Sequence, residues 1–376
     1  MRIAVNTRLL LKDKLEGIGV FSLETLQRIT RQHPEHQFIF FFDRDYDPEF
    51  IFSGNITPVK LFPQARHPLL FYWWFEYAVA RALKKFKADL FLSPDGYIPL
   101  SSPVTSVAVI HDLNFEHHPE NLPFAARNYY RYFFPKFARR ADRIATVSAF
   151  SKQDIMTHYG IPAEKIDVVY NGAGDKFRPL DLNEKQAVRI KYSGGAEYFV
   201  FVGSLQPRKN IARLLEAYEQ FREAEGKEIK LLLAGEKRWW TSEMESVYEH
   251  MHYRKDVVFT GRLPAAEVAG VLGAASVLIY VPCFEGFGIP ILEAMACDVP
   301  VITSGITSMP EVAGDAALYA DPFSASSITA ALHKLVSDEK LRETLVSKGR
   351  LRRAHFSWQK TSDALWNCLM KAAGKE

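Results

Sequence analysis

The sequence has 376 residues, of which 48% are hydrophobic and 24% are charged, and its formal net charge is +3. The length exceeds that of one ordinary domain and predicts two, while the small net charge argues against a nucleic-acid-binding protein. The odd set Cys283, Cys297 and Cys368 has no metal-ligand spacing and argues against a disulfide framework, so we expect a cytoplasmic protein. The first residues indicate a strand and not a signal segment, and no apolar run reaches the roughly 18–20 residues of a membrane span.

The first half of the chain alternates strand-like and helix-like segments. Residues 2–6 form an apolar run, and a loop with Gly17 and Gly19 precedes an amphipathic segment over residues 20–31. A strand, a glycine loop and a helix are the opening unit of a doubly wound sheet. The glycines would let a ligand approach the backbone, and a plain turn explains them equally well, because the dinucleotide-binding fingerprint is incomplete.

Polar residues follow two strand-like runs of this half. Asp95 comes after the run at residues 89–92, and His111 and Asp112 come after the run at residues 106–110. Ligands of open α/β sheets collect outside the carboxyl ends of the strands. We therefore expect His111 to act on a substrate and Asp95 and Asp112 to contact an acceptor, whereas the alternative for the histidine is a capping role in its loop.

Two segments are rich in both aromatic and basic residues. Residues 67–87 begin with aromatic side chains and end with lysines, and residues 128–140 repeat this composition. Such a pattern is typical of helices that lie on an anionic membrane surface. The alternative is a pair of amphipathic core helices whose cations are only solvated.

A polar stretch at residues 181–195 separates the two halves and predicts the domain boundary. The alternation then restarts with a strand over residues 198–202, which is followed by Gly203 and the adjacent cations Arg208 and Lys209. A glycine and two cations before a helix favour the binding of a diphosphate, with a solvated turn as the alternative.

Residues 281–293 carry the most specific pattern of the chain. They follow a strand-like run and contain a glycine turn and a helix start with proline, which is an arrangement that binds anions through backbone N–H groups. Glu285 and Glu293 bracket this site. Because a carboxylate in contact with a phosphate would repel it, we expect the two glutamates to hold neutral hydroxyls on either side. The pattern indicates a nucleotide-sugar site.

With these motifs, the chain resembles a family 4 retaining glycosyltransferase (glycosyl transferases group 1) of the GT-B fold over essentially its full length. The resemblance rests on Glu285-Gly-Phe-Gly-Ile-Pro-Ile-Leu-Glu293 and on Gly203-Ser-Leu-Gln-Pro-Arg-Lys-Asn210. It implies an α/β protein with two Rossmann-like doubly wound domains that face a central cleft and close by hinging. The implied domains are residues 1–180 for the acceptor and 196–356 for the nucleotide sugar, with residues 357–376 forming a helix that packs back on the N-terminal domain.

The resemblance also implies roles for individual residues. It implies catalytic roles for His111, Arg208, Lys209 and Glu285. Loop and helix-end residues would bind the donor: Gly17, Gly19, Gly203, Gly261, Arg262, Leu263, Gly286, Phe287, Gly288, Ile289 and Glu293. Glu285 would hold hydroxyls of the donor sugar, and the two cations would stabilise the departing diphosphate. Many relatives carry an arginine where Ser204 stands, so the arginine role falls on Arg208.

The implied function is transfer of a hexose, with mannose from GDP-mannose as the first choice, to a saccharide or lipid-linked acceptor at the inner face of the membrane. We expect no cofactor and no metal, because the cations replace the metal of other transferases. The acid pair Asp43 and Asp45 is therefore weak evidence for a metal site. The alternatives are a UDP-hexose donor, a phosphorylase or sucrose-type synthase, and a non-catalytic relative that only binds nucleotide sugars. We expect no nucleic-acid partner.

Overall fold

The computed structural model describes residues 1–12, 14–225 and 228–375. The chain divides into two compact units, of which the first comprises Met1–Asn171 and Trp358–Glu376 and the second comprises Gly172–Ser357. Each unit is built on a parallel sheet with helices between successive strands. This architecture confirms the predicted α/β fold class with two doubly wound sheets.

The described part of the first unit contains a seven-stranded parallel sheet in the order β3-β2-β1-β4-β5-β6-β7. Its strands are β1 (Arg2–Asn6), β2 (Gln37–Phe42), β3 (Ile56–Lys60), β4 (Leu90–Ser93), β5 (Thr105–Val109), β6 (Arg143–Thr146) and β7 (Ile166–Val168). Ile3 of β1 pairs with Phe38 of β2 on one side and with Leu90 of β4 on the other. The strand order reverses between β1 and β4, where ligands of such sheets are usually bound.

The second unit contains, within the described residues, a six-stranded parallel sheet in the order β10-β9-β8-β11-β12-β13. Its strands are β8 (Tyr198–Val202), β9 (Lys230–Ala234), β10 (Val257–Phe259), β11 (Val277–Tyr280), β12 (Val301–Ser304) and β13 (Leu318–Ala320). The order reverses between β8 and β11, where Val277 pairs with Phe199. The loops that follow these two strands therefore lie side by side at the carboxyl edge of the sheet.

The helices cover the faces of the sheets. Those before the division at residue 171 are α1 (Gly17–Gln32), α2 (Pro68–Trp73), α3 (Ala80–Phe86), α4 (Asn114–His117), α5 (Phe124–Arg140) and α6 (Ala149–Tyr159). Those after it are α7 (Leu182–Ser193), α8 (Ile211–Glu225), α9 (Ser242–His250), α10 (Ala265–Gly273), α11 (Ile289–Ala296), α12 (Met309–Ala313), α13 (Ala325–Ser337), α14 (Glu339–Arg353) and α15 (Trp358–Ala372). A π-helical turn, Trp74–Val79, joins α2 to α3. Among the described helices, none combines the length and apolarity that a bilayer span requires.

The last helix belongs to the first unit. Helix α15 packs against α1 and lies beside β5 and β6. Its buried side chains include Trp358, Leu365 and Leu369, which recur on one face of the helix. The hydroxyl of Thr361 donates a hydrogen bond to the carbonyl of Tyr170 at 2.6 Å. Burial of this apolar face anchors the end of the chain on the first sheet.

The polar stretch that separates the two halves forms helix α7 inside the second unit. Asp181 and Glu184 form a capping box, in which each carboxylate accepts a hydrogen bond from the backbone N–H of the other residue, at 2.8 and 3.0 Å. Gly194 ends the helix with a φ of 68°. The division between the units falls instead at residues 171 and 172. Polar composition reflects the exposure of α7 and not a lack of structure.

Candidate functional site

Two glycines let the loops after β8 and β9 approach each other closely. Gly203 has a φ of 141°, which disfavours side chains with a Cβ atom, and its N–H donates to the carbonyl of Ala234 at 3.0 Å. A Cβ atom at Gly235 would lie 1.8 Å from the Gly203 carbonyl oxygen. No larger residue fits at Gly235 without moving the backbone. The close approach fixes the start of the loop after β8 against the end of β9.

Four side chains meet at the carboxyl ends of β8 and β11, and we call Arg208, Lys209, Tyr280 and Glu285 the basic cluster. The ammonium of Lys209 donates to the carboxylate of Glu285 and to the hydroxyl of Tyr280. Arg208 Nη1 lies 2.8 Å from Glu285 Oε2, and the Tyr280 hydroxyl donates to the same oxygen at 2.9 Å. Two cations thus share one carboxylate, which leaves the cluster with a net positive charge.

The backbone around Asn210 holds the basic cluster together. Arg208 and Lys209 end a short 3-10 helix, and Asn210 follows in the left-handed conformation with a φ of 63°. The Asn210 side-chain amide donates to the carbonyl of Val281 at 3.1 Å, and the N–H of Cys283 donates to the carbonyl of Arg208 at 2.9 Å. Asparagine tolerates this conformation better than other residues with a side chain. The turn is therefore fixed to the loop that carries Glu285.

The protonation states of the basic cluster follow from its contacts. Burial raises the pKa of Glu285, but the charges of Arg208 and Lys209 and the hydrogen bonds from Lys209 and Tyr280 outweigh it and lower the pKa to about 2. Burial and the neighbouring Glu285 carboxylate raise the pKa of Tyr280 well above its usual range. At neutral pH the carboxylate is ionised and the phenol is neutral.

The glycine turn before α11 is also sterically determined. Gly288 has a φ of 91°, and a Cβ atom there would lie 2.7 Å from Met309 Cε. Phe287 is buried and packs edge-on against Phe356, with the ring centroids 5.8 Å apart. Helix α11 begins at Ile289, directly after the turn, with a proline in its first turn. Its first N–H groups have no partner within the helix itself and suit an anion.

Glu293 lies one turn further along α11 and has a different environment. Burial raises the pKa of its carboxyl to about 7, and the charge of Lys176 lowers the pKa only in part. The Glu293 carboxyl is therefore close to half protonated near neutral pH. The two glutamates of the motif thus differ: Glu285 is ionised at neutral pH, whereas Glu293 titrates near neutral pH.

The loop after β10 contains the remaining predicted donor residues of this unit. Gly261 has a φ of 67°, and no atom lies within 4 Å of a Cβ built there. Arg262 is exposed and Leu263 is partly buried. Because β10, β9, β8 and β11 are successive neighbours in the sheet, this loop lies on the same edge as the basic cluster.

In the first unit, Asp95 belongs to a buried network. Its carboxylate lies 2.6 Å from Arg8 Nε and accepts a hydrogen bond from the Asn6 amide at 2.7 Å. The Arg8 guanidinium also lies over the rings of Tyr97 and Phe71, with centroid distances of 4.7 and 4.9 Å. The acceptor contact of Asp95 stays a prediction, and the observed contacts of its carboxylate join the ends of β1 and β4.

His111 and Asp112 follow β5. His111 Nε2 lies 2.8 Å from the carbonyl oxygen of Pro94 and donates to it, and burial lowers the histidine pKa. The imidazole is therefore neutral at neutral pH, with Nδ1 as the acceptor. Asp112 Oδ1 accepts a hydrogen bond from the N–H of Asn114 at 3.0 Å, at the start of α4. The sequence analysis did not predict this contact.

The two early glycines lie at the start of α1. A Cβ atom at Gly19 would lie 2.9 Å from the carbonyl oxygen of Leu9, so packing explains this glycine. At Gly17 no atom lies within 4 Å of a Cβ position. A helix start at the carboxyl edge of a sheet is a suitable place for an anion.

The acid pair after β2 is engaged by neighbouring cations. Asp43 accepts two hydrogen bonds from the Arg44 guanidinium, at 2.7 and 2.9 Å. Asp45 pairs with Lys60 at 2.7 Å. These contacts explain both carboxylates without a ligand.

The structure brings the predicted residues Arg208, Lys209 and Glu285 into direct contact, although the cations lie more than seventy positions before the glutamate. Sequence reasoning missed Tyr280 and Asn210. Tyr280 ends a strand that is otherwise aliphatic. A hydroxyl at the carboxyl end of such a strand could have indicated a site residue, because ligands bind at that edge of the sheet. Asn210 stands between two cations and a helix, where a left-handed residue is common.

Comparisons with known proteins match the two halves of the chain to two family models. The model of the family described as Glycosyltransferase Family 4 matches residues 15–175, and that of Glycosyl transferases group 1 matches residues 183–352. O-antigen chain mannosyltransferase B of Escherichia coli is 29% identical over 362 residues, which cover 93% of this chain and 94% of that protein. O-antigen chain mannosyltransferase RfbU of Salmonella typhimurium is 27% identical over 256 residues, which cover 68% of this chain and 67% of that protein.

A solved structure extends the likeness to the whole fold. Sucrose-phosphate synthase from Thermosynechococcus elongatus superposes with a TM-score of 0.81 at 17% identity, over 100% of both chains. The Family 4 match covers β2 to β7 of the first sheet and the group 1 match covers the whole second sheet, and the resemblance predicted from the motifs is confirmed. The chain contains a Glycosyltransferase Family 4 domain and a Glycosyl transferases group 1 domain, and it is a glycosyltransferase of the GT-B fold.

Proposed function

We propose that this glycosyltransferase moves mannose from GDP-mannose to a saccharide or lipid-linked saccharide acceptor, with retention of the anomeric configuration and without a metal ion. The observation that carries the proposal is the basic cluster, which lies beside the start of α11 in the second unit. The choice of mannose is supported by the two relatives named as O-antigen chain mannosyltransferases.

In the proposed donor site, different groups bind different parts of the nucleotide sugar. The backbone of residues 286–288 and the first turn of α11 bind the diphosphate, and Glu285 accepts hydrogen bonds from hydroxyls of the hexose. Glu293 accepts from the ribose, and the loop at Gly261 contacts the base. Because Arg208 and Lys209 share one carboxylate, the cluster keeps positive charge available for a diphosphate.

Charge stabilisation supplies the proposed catalysis. Cleavage of the bond between the anomeric carbon and the phosphate oxygen builds negative charge on the diphosphate. Arg208 and Lys209 are held in place before the reaction by Glu285 and Tyr280, so they stabilise that charge with little reorganisation. The same cations would perform the task for which other transferases use a metal ion, so we expect the rate to be insensitive to chelation.

Retention is proposed to occur by attack from the face that the diphosphate leaves. A carboxylate with a pKa of about 2 that is tied to two cations is a poor nucleophile, so Glu285 does not suit a covalent intermediate. In the proposed step, the acceptor oxygen bonds to the anomeric carbon as the phosphate oxygen leaves, and the acceptor proton passes to that phosphate oxygen. His111 is proposed to contact the reacting sugar through its unprotonated Nδ1.

Peripheral contact with an anionic membrane is also proposed, through what we call the aromatic face of the first unit. It consists of exposed side chains on α2, the π-helical turn and α5, including Trp73 (54% exposed), Tyr77 (46%) and Tyr132 (59%). The ammonium of Lys136 lies 3.5 Å from the ring centroid of Tyr132. Exposed aromatic rings beside cations suit the headgroup region of anionic lipids.

A thermal-shift screen of the full chain tests the donor assignment. We expect GDP and GDP-mannose to raise the melting temperature more than UDP and UDP-hexoses at equal concentration, because a ligand that binds only the folded state stabilises it. A larger rise in melting temperature with UDP ligands would favour a UDP-hexose as the donor in place of GDP-mannose. Binding without transfer or hydrolysis of any donor would identify a non-catalytic relative.

A further inference from the structure

A group of three potential metal ligands lies in the first unit, away from the residues assigned to the donor. His117 is the last residue of α4, and Asp154 and His158 lie one turn apart on α6. His117 Nε2 is 2.8 Å from Asp154 Oδ1 and 3.0 Å from Oδ2, and His158 Nδ1 is 3.0 Å from Asp154 Oδ1. The three ligand atoms all lie within 4.8 Å of one another.

The geometry and chemistry of this group suit a zinc ion. Two imidazole nitrogens and a carboxylate oxygen are common zinc ligands, and bonds of about 2.0–2.1 Å in a tetrahedral site place ligand atoms roughly 3.3 Å apart. The contacts from Asp154 to the two histidines, at 2.8 and 3.0 Å, need to open by a few tenths of an ångström, and the nitrogens of the two histidines lie within 4.8 Å of each other. The Asp154 carboxylate is buried, whereas both imidazoles reach the surface, so an ion can enter from solvent.

We propose that His117, Asp154 and His158 bind one Zn²⁺ ion, with water in the fourth position. The ion would link α4, which follows β5, to α6, which follows β6. Ser151 of α6 already donates a hydrogen bond to the carbonyl of His111 at 3.1 Å. A zinc ion would reinforce the attachment of the segment between β5 and α4 to α6. It would stabilise the first unit and would take no part in the bond-making step.

A second group, Glu219, Glu223 and His252, provides an internal contrast. The His252 side chain is 83% exposed. The Glu219 carboxylate already accepts hydrogen bonds from the backbone N–H groups of His252 and Tyr253, at 2.7 and 3.2 Å. Both oxygens of Glu219 are engaged by the backbone, and in the first group His158 Nδ1 also lies 3.1 Å from the carbonyl oxygen of Asp154, a contact that zinc would replace. The high exposure of its histidine makes the second group the less suited of the two, and His252 serves as the control.

The test is a titration of the metal-free full chain with Zn²⁺ by calorimetry and with Co²⁺ by visible absorption, which reports tetrahedral coordination. We expect one saturable site, a higher melting temperature with Zn²⁺, and at least about tenfold weaker binding in His117→Ala and in His158→Ala. His252→Ala should bind as the wild type does. Circular dichroism and melting without metal establish that each variant is folded.

Three outcomes would overturn the proposal: no saturable binding, unchanged binding in a folded His117→Ala/His158→Ala double variant, or loss of binding in His252→Ala alone. In the first case, the hydrogen bonds among the three side chains are the complete explanation of the group. Because the readout is metal binding by the first unit, the result is independent of the donor assignment.

Discussion

Lys209 shows how a buried cation is stabilised by its neighbours. It is 8% exposed, and an unpaired ammonium at such a position would cost several kcal/mol. Glu285 and Tyr280 compensate, and the ammonium also lies 4.8 Å from the Tyr280 ring centroid. If Lys209 is removed, Glu285 keeps Arg208 as a partner. The side chain is therefore replaceable for folding, although we expect it to be required for transfer.

Lys209→Ala should lower kcat by about 100-fold or more, because removal of one group that stabilises developing charge typically costs about two to three orders of magnitude. The melting temperature should change by only a few degrees. Steady-state kinetics at saturating donor together with thermal melting measure both quantities. Lys340→Ala, at an exposed position on α14, is the control and should match the wild type. Unchanged kcat in Lys209→Ala would remove this residue from the mechanism.

We expect Glu293 to make stability and donor binding depend on pH. Its carboxyl has a pKa of about 7 in the folded state against an ordinary value of 4.5, so the folded state binds more protons between those values. Stability therefore decreases as pH rises from about 4.5 to about 7, by at most about 3 kcal/mol. The ionised form is the better acceptor for ribose hydroxyls, so donor binding should strengthen over the same range.

Glu293→Gln should separate these two effects. The amide does not titrate, so the variant should be more stable than the wild type at about pH 8 and should lose the decrease in stability between about pH 5 and pH 8. Its KM for the donor should rise, because the amide is a weaker acceptor. Melting curves and donor kinetics across this pH range measure both. Glu343→Gln, which is exposed on α14, is the control; equal pH slopes in Glu293→Gln and the wild type would contradict the assignment.

At the scale of elements, the turn before α11 depends on glycine. Gly288→Ala would add a Cβ atom 2.7 Å from Met309 Cε at a φ of 91°. We expect a loss of about 1–3 kcal/mol in stability and a higher KM for the donor, because alanine is strained at this φ and the Met309 side chain must move. Thermal melting and donor kinetics measure the two effects.

The neighbouring loop supplies a matched control for this prediction. Gly305 has no atom within 4 Å of a Cβ position and no left-handed φ, so Gly305→Ala should keep wild-type stability and kinetics. Wild-type behaviour of Gly288→Ala would show that the helix start tolerates displacement and would argue against a close backbone contact with the diphosphate.

The aromatic face gives a second prediction at this scale. The wild type should cosediment weakly with vesicles that contain an anionic lipid and should dissociate at high salt, because part of the attraction is electrostatic. A Trp73→Ser/Lys136→Glu variant should bind several-fold less. Trp239→Ala removes an aromatic residue of similar exposure (41%) from the second unit and is the control. No cosedimentation at low salt, or equal binding by the double variant, would contradict the role of this surface.

At the scale of the whole molecule, most of the fold was predictable because parallel strands are buried on both faces and appear as continuous apolar runs. The sequence placed Lys209 and Glu285 in one predicted donor site, but it did not predict their direct contact, because no local pattern shows that the cations pair with the glutamate. The Arg8–Asp95 pair joins residues 87 positions apart. Such a partner depends on strand order, so sequence reasoning placed Asp95 at the sheet edge and missed its network.

Helix α7 was missed for a different reason. Its composition is polar on almost every face, and the sequence pattern of a linker is also polar. The capping box of Asp181 and Glu184 and the terminal Gly194 were the available signals, and they outweigh the lack of an apolar stripe. Capping residues at both ends of a polar stretch are therefore better evidence for a helix than its overall composition.

The most direct test of the proposed function is transfer of labelled mannose from GDP-mannose to mannose-terminated saccharide acceptors by the full chain in the presence of EDTA, at a temperature at which the metal-free chain is folded. We predict a labelled product whose new bond keeps the anomeric configuration of the donor, as determined by NMR, at a rate unaffected by EDTA and largely lost in Lys209→Ala. An inverted configuration, a rate abolished by EDTA, or no product from any GDP- or UDP-linked hexose would contradict the account.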